Sequence, residues 1–262
     1  MIYDCFLFNG EFDLLSIRIA ELAGIKNLTH VLVESKVTFT GMEKPRKTIA
    51  LGERFRDTKR LVIDLTLENP STNPWDNEKN LRNRIKDFLA YSPLMVNYNP
   101  IQDDDIIIIS DIDEVPRASS IKDWNGPEYT CLIMNKYGFW LNCEEEHQGW
   151  HRARMMRWEY LKATTPEEVR HAGIPSRIEN AGWHWSWQGG IDEVMRKFAS
   201  FSHQEPDVQK HANREELMRK ILVGESLWGN DKWKIVPIDE TFPQYVQDHQ
   251  NDSLKHMIYG NS

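Results

Sequence analysis

Along the first 115 positions, short apolar runs alternate with longer segments whose apolar residues recur at helical spacing. The runs at residues 2–8, 30–35, 61–65 and 106–109 have the length and composition of strands. Between them, Phe12, Leu15, Ile19 and Leu22 fall on one face of a helix over Glu11 to Ala23, with Gly24 as its stop. Leu81, Ile85, Phe88 and Leu89 do the same over Asp76 to Tyr91, with Arg82, Asn83 and Arg84 elsewhere on the helix surface and Pro93 after its end. Ile106-Ile107-Ile108-Ile109, bounded by acids on both sides, predicts a strand buried on both faces, since a half-buried strand would alternate with polar residues. Strands separated by helices of this length predict right-handed crossovers and an α/β fold with a mainly parallel central sheet flanked by helices.

Beyond Pro116 the rhythm changes. Residues 129–141 and 150–161 are rich in β-formers and aromatics and predict strands joined across the acidic loop Glu144-Glu145-Glu146. Thr165-Pro166-Glu167-Glu168 is a capping box with proline at its first helical position. Ala181 to Trp187 alternates as a strand would; with Trp183, Trp185 and Trp187 assigned to alternating faces, not all three can be core. Gly189-Gly190 precedes a helix with Ile191, Val194, Met195, Phe198 and Phe201 on one face. A further helix ends near Gly224, Trp233 to Val236 reads as a closing strand, and a last helix leads into a mobile tail. No repeat or flexible linker interrupts the chain, which predicts one domain over 1–262 that changes character at residue 117.

Composition narrows the chemistry. A chain of 262 residues with 40% hydrophobic content builds an ample core, and a net charge of -8 argues against nucleic acid as partner. Cys5, Cys131 and Cys143 are scattered, so neither a disulfide framework nor a zinc ribbon is expected. The apolar start lacks a basic flank and contains Asp4, and no run reaches the ~20 residues of a membrane span. A cytoplasmic location is the simplest expectation. The acids of Asp111-Ile112-Asp113-Glu114 follow the isoleucine run, at the strand's carboxyl end, where open α/β sheets bind ligands. Two aspartates at i and i+2 can turn to one side, and such oxygen ligands suit Mg²⁺ or Mn²⁺, which suit a pyrophosphate.

Five stretches in order resemble glycosyltransferase family 17, which includes the animal N-acetylglucosaminyltransferase that bisects N-glycans. They are Asn9 to Leu15 with Arg18 and Glu21-Leu22; Val33-Glu34-Ser35 with Thr38 and Gly41; Asp103 to Pro116; Lys136 to Trp140; and Ala181 to Ser186. The resemblance implies a GT-A-like, Rossmann-like fold, a nucleotide-sugar donor such as UDP-GlcNAc, a divalent metal, a glycan acceptor, and inversion at the anomeric carbon to give a β linkage. On that basis residues 1–117 form a nucleotide-sugar-binding half, 118–240 an aromatic-rich acceptor and catalytic half, and 241–262 a C-terminal helix and tail. Two departures are Lys36, where the family usually has asparagine, and the lack of the membrane anchor and stem of Golgi members.

Roles follow from these expectations. Asp113 is assigned to direct metal ligation and Asp111 to the metal through water or to the ribose, while Glu114 either orients the aspartates or caps the turn. His184 is a metal or diphosphate ligand or a structural histidine among aromatics; His203 and Glu205 could serve instead. Trp183 could stack on the sugar. Asn9, Glu11 and Glu34 follow the first two strands and either contact base and ribose or cap and charge-complement helices. Arg82 could neutralise the diphosphate. The general base that an inverting transfer requires is assigned to Asp192 or Glu193, with Glu205 and Glu145 as further candidates. Two other classes remain open: a non-catalytic carbohydrate-binding protein on the same scaffold, and a phosphatase of the haloacid-dehalogenase type, which Val115 permits.

Overall fold

The computed structural model describes residues 1–44, 61–66 (backbone only), 70–92, 100–122, 124–126, 129–146, 149–174, 176–223, 225–227 and 233–260; Pro93 and Gly224 lie outside them. The chain begins with β1 (Ile2–Phe8), α1 (Phe12–Leu22), β2 (Leu28–Ser35), β3 (Leu61–Thr66), α2 (Pro74–Tyr91) and β4 (Ile106–Asp111). The apolar periodicities have the predicted consequence. Ile107, Ile108 and Ile109 are fully buried, and Leu81, Ile85, Phe88 and Leu89 of α2 pack on one face of β1, β2 and β4. Asn73 caps α2, its side chain accepting from the Trp75 amide, and Pro74 takes the first helical position. Helix α1 ends differently from expectation. Three-residue bonds, Ala23 N–H to Ala20 and Ile25 N–H to Leu22, tighten its last turn, and Gly24 takes no left-handed conformation.

Two mixed sheets result, not one mainly parallel sheet. The first has the order β10-β6-β9-β4-β1-β2-β3; its β4-β1-β2-β3 portion is parallel, as is the β10-β6 pair, and the two are joined through antiparallel pairings of β9. Strands β6 (Tyr129–Leu132), β9 (Arg154–Arg157) and β10 (Arg177–Ile178) extend it, with β9 antiparallel to both β4 and β6. The second sheet has the order β12-β8-β7-β11-β5, built from β5 (Glu114–Pro116), β7 (Asn135–Gly138), β8 (Cys143–Glu145), β11 (Gly182–Ser186) and β12 (Trp233–Ile235). The acidic segment 144–146 thus contains a strand, because β8 pairs with β7 on one side and β12 on the other. Residues 158–161 form a helical turn, α3 (Trp158–Leu161), and the capping box opens α4 (Pro166–His171) as expected. Alternation along a segment reports its strand character, while its pairing partner is decided by distant segments, so the mixing was invisible locally.

The three tryptophans are all buried. Positions i and i+2 of a strand share a face, so Trp183 and Trp185 stack on each other, 5.6 Å apart with nearly parallel planes, inside the core between the second sheet and α1. Trp187 leaves the strand with φ 61° and packs on Phe198 of α5 (Gly190–Ser200). The C-terminal segment is anchored: after α6 (Gln244–His249), Leu254, Met257 and Ile258 are buried in the same core, and the Leu141 amide donates to the Met257 carbonyl. Gly182 is required by close approach, since a β-carbon there would lie 2.2 Å from the Val115 carbonyl oxygen. No helix of the described residues is long and apolar enough to cross a membrane.

One junction organises the rest. The chain leaves the first sheet at Asp111 and enters the second at Glu114, so the Asp111-Ile112-Asp113 turn is where the two sheets meet.

Candidate active site

Register brings the predicted residues to this junction. Leu7 of β1 lies opposite Asp111 of β4, so Asn9 and Glu11, just past β1, stand beside the acidic turn; Glu34 of β2 lies opposite Phe8 and is buried. An open cleft with a cavity volume of about 120 Å³ forms here. Asn9, Glu11, Arg82, Asp111, Asp113 and Lys197 are among its lining residues.

The turn is held from below by buried charge. Arg18 of α1 donates to both Asp4 carboxylate oxygens, to Ser110 Oγ (2.6 Å), and to the carbonyls of Asp111 (3.0 Å) and Glu114 (2.9 Å). Burial alone would raise the Asp4 pKa, but the Arg18 guanidinium and His30 outweigh it and hold the carboxyl well below its usual range. A depressed carboxylate stabilises the fold fully above about pH 4 and loses that contribution as the pH falls from there toward the lowered value. Asp4→Asn is therefore expected to unfold at lower urea than wild type at pH 7, with the gap closing in strong acid; a gap that widens on acidification would contradict the pairing.

Glu114 is fully buried and fills both roles left open for it, capping the turn and orienting Asp111 through Arg170. Its carboxylate accepts from the Asp111 amide (2.9 Å), from Trp150 Nε1 (2.6 Å) and from both terminal nitrogens of Arg170 (2.8 and 2.6 Å). Arg170 also donates to Asp111 Oδ2 at 2.5 Å. Asp111 would be raised by burial, yet Arg170 and Arg82 hold it down at about 2. Arg82 is not on the helix surface as its sequence position suggested: it is buried, pairing with Glu167, with Glu78 (2.5 Å) and, at 3.4 Å, with Asp111 Oδ1. Asp113 is 14% exposed and its Oδ2 accepts from Lys197 Nζ of α5 at 3.0 Å.

The remaining candidates lie elsewhere. His184 is buried on β11 opposite Glu114, its ring stacked on Trp150 at 4.0 Å, and burial lowers its pKa. Its Nδ1 has no hydrogen-bond partner, and among the described residues no group of three or more His, Cys, Asp or Glu stands ready to ligate a metal, so His184 does not join Asp111 and Asp113 in one. Trp183 is a core residue with Arg117 over its ring at 4.0 Å. At the start of α5, Asp192 is exposed and Glu193 half-buried, and they pair with Arg214 and Arg196. Glu145 is buried against Lys136. Glu205 accepts from Trp75 Nε1 (3.0 Å) and pairs with His203 (3.3 Å), just beyond the cleft-lining Ser200 and Phe201.

Arg170 and Lys197 escaped the sequence reading. Each sits one position from a residue that packs inward, Val169 and Phe198; the helix of Arg170 is read from its capping box and that of Lys197 for its apolar face. The available signal was Glu114 itself: an acid that opens a buried strand demands a buried cation.

The sequence profile of glycosyltransferase family 17 matches residues 1–255. A comparison with curated protein sequences returns no match. Among solved structures, the mannosyltransferase PcManGT from Pyrobaculum calidifontis, in complex with GDP-Man and Mn²⁺, is similar over 85% of this chain and 73% of its own, at 10% identity and a TM-score of 0.40. The glycosyltransferase GlyE of Streptococcus pneumoniae TIGR4 is similar over 65% of this chain and 36% of its own, at 9% identity and a TM-score of 0.34. An active-site mutant of LgtC is similar over 66% of this chain and 60% of its own, at 10% identity and a TM-score of 0.30.

Proposed function

The chain belongs to glycosyltransferase family 17, and we propose that it is a metal-dependent, inverting enzyme of GT-A type that moves GlcNAc from UDP-GlcNAc to a saccharide hydroxyl in β linkage. The observation that carries this reading is the cleft at the sheet junction, where Asp111 and Asp113 face Asn9, Glu11 and Arg82. Asn9 adds a second support: its Oδ1 is buried without a hydrogen-bond partner, an acceptor suited to an N–H or hydroxyl of a nucleoside.

The donor set fits a hard divalent cation. Asp113 keeps Oδ1 off its ion pair with Lys197, and Asp111 Oδ1 has only the long contact to Arg82. Mg²⁺ or Mn²⁺ ordinarily takes one or two carboxylates and completes its shell with phosphate oxygens and water, so His184 is not needed. When bound, the metal would neutralise charge developing on the leaving diphosphate. The protein supplies the rest. Glu114 and Arg170 fix the direction of the Asp111 carboxylate, and Arg82 presents a guanidinium, itself held by three carboxylates, toward the same oxygens.

The proton of the attacking hydroxyl is assigned to Glu205 among Asp192, Glu193 and Glu205, because its segment continues from the cleft wall. Its own backbone amide, Trp75 and His203 lower its pKa, so it is ionised at neutral pH. Trp75, 40% exposed and held by Glu205, offers an indole to a sugar ring. Thermal-shift measurements with UDP-GlcNAc, UDP-Gal, GDP-Man and UDP, each with and without Mn²⁺, test the reading. Stabilisation by UDP-GlcNAc that requires Mn²⁺ is expected; stabilisation by none of them, or transfer undiminished by EDTA, would overturn it.

A further inference from the structure

We propose that Lys197 and the divalent cation compete for the Asp113 carboxylate, and that a nucleoside diphosphate resolves the competition by taking the ammonium. The inference rests on the reading of the cleft as a nucleotide-sugar site and adds to it a coupling between metal and nucleotide.

Lys197 differs from the other cations at the junction in how it is held. Arg170 is buried and tied to Asp111 and Glu114, and Arg82 is buried among Glu78, Glu167 and Asp111. Neither can turn away without leaving buried carboxylates unpaired. Lys197 is one-third exposed and pairs with one carboxylate, that of Asp113. Its ammonium lies 5.0 Å over the Trp187 ring, a contact that holds a cation without using its donors. A lysine ammonium is a point charge on a four-carbon stem with three donors, so it can exchange one oxygen partner for another nearby.

The position of α5 makes that exchange available within the cleft. Trp187, Gly189 and Gly190 all take left-handed conformations, turning the chain from β11 into the helix so that Lys197 reaches the cleft beside Asp113. The Lys197 ammonium lies 3.0 Å from Asp113 Oδ2, and Glu11 and Asp111 line the same cleft. A dication brought alone to Asp113 therefore meets a fixed positive charge on the carboxylate it needs. A diphosphate supplies the ammonium with an alternative anion and frees that carboxylate. Metal and nucleotide then bind with positive coupling, which linkage makes reciprocal.

Calorimetric titration of the full chain with MnCl₂, with UDP, and with each in the presence of the other tests this. Wild type is expected to bind Mn²⁺ at least about tenfold more tightly when saturated with UDP. Lys197→Met is expected to bind Mn²⁺ alone about fivefold or more tightly than wild type, and UDP alone more weakly, with the coupling factor reduced. Lys197→Arg should recover UDP affinity in part, and Lys197→Gln repeats the test should the methionine variant not fold. An unchanged or weaker affinity of Lys197→Met and Lys197→Gln for Mn²⁺ alone would overturn the competition and leave the nucleotide site standing. A wild type that binds UDP under no condition would overturn both.

Discussion

Replacing Asp113 with alanine is expected to lower kcat/KM for sugar transfer by at least about a thousandfold while the melting temperature stays near that of wild type. The asymmetry follows from which atoms of Asp113 the fold uses. Its backbone carbonyl accepts from the Trp185 amide at 2.8 Å and ties the turn to β11, a bond that alanine keeps. Its side chain pairs with Lys197, a group exposed enough to be rehydrated when the partner goes. What is lost is the carboxylate assigned to the metal. Circular dichroism and steady-state kinetics on the same preparation separate the two effects; transfer within tenfold of wild type would remove Asp113 from the chemistry.

Arg170→Met carries the largest expected cost in stability. It leaves Glu114, fully buried, and Asp111 without their shared cation, and breaking a buried pair from one side typically costs about 3–5 kcal/mol. Trp150 and the Asp111 amide continue to donate to Glu114, which keeps the loss nearer the lower end of that range. The double variant Arg170→Met with Glu114→Gln removes the orphaned charge and should recover part of the loss. Urea unfolding of the four proteins forms a double-mutant cycle. A single-variant loss under about 1 kcal/mol would show that the network contributes little. Activity should fall in the single variant too, since the Asp111 carboxylate loses the guanidinium that aims it.

The first half of the chain was legible because its elements announce themselves locally. Four consecutive isoleucines can only be a doubly buried strand or helix interior, and the acids at both ends limit them to strand length. The Asp-x-Asp pair needed only its position after that strand to be read as a ligand site, and the parallel register of β1 and β4 delivers Asn9 and Glu11 to its side. The second half resisted for two reasons. Its short strands enter two sheets according to partners far away in sequence, as β9 does between β4 and β6. Its charged residues are also buried in pairs, so that Arg170 on a six-residue helix reads as solvated surface unless the acid it neutralises is known. The tryptophans mark a third source of error. Treating Trp183 and Trp185 as opposite-facing exposed one of them on paper, whereas a period of two stacks them in the core.

Arg18 gives the acidic turn a property beyond its shape. One guanidinium bonds Asp4 in the first strand, Ser110 at the end of the fourth, and the carbonyls on either side of the turn. Opening the turn by itself would strand that guanidinium and the Asp4 carboxylate in the interior, so partial opening is no easier than unfolding the sheet. The turn therefore shares the cooperative unit of the core, unlike binding loops that fray at little cost. Amide hydrogens there, Asp111 and Trp185 among them, are expected to exchange with solvent only by global unfolding, and the site to lose its form at the temperature at which the protein does.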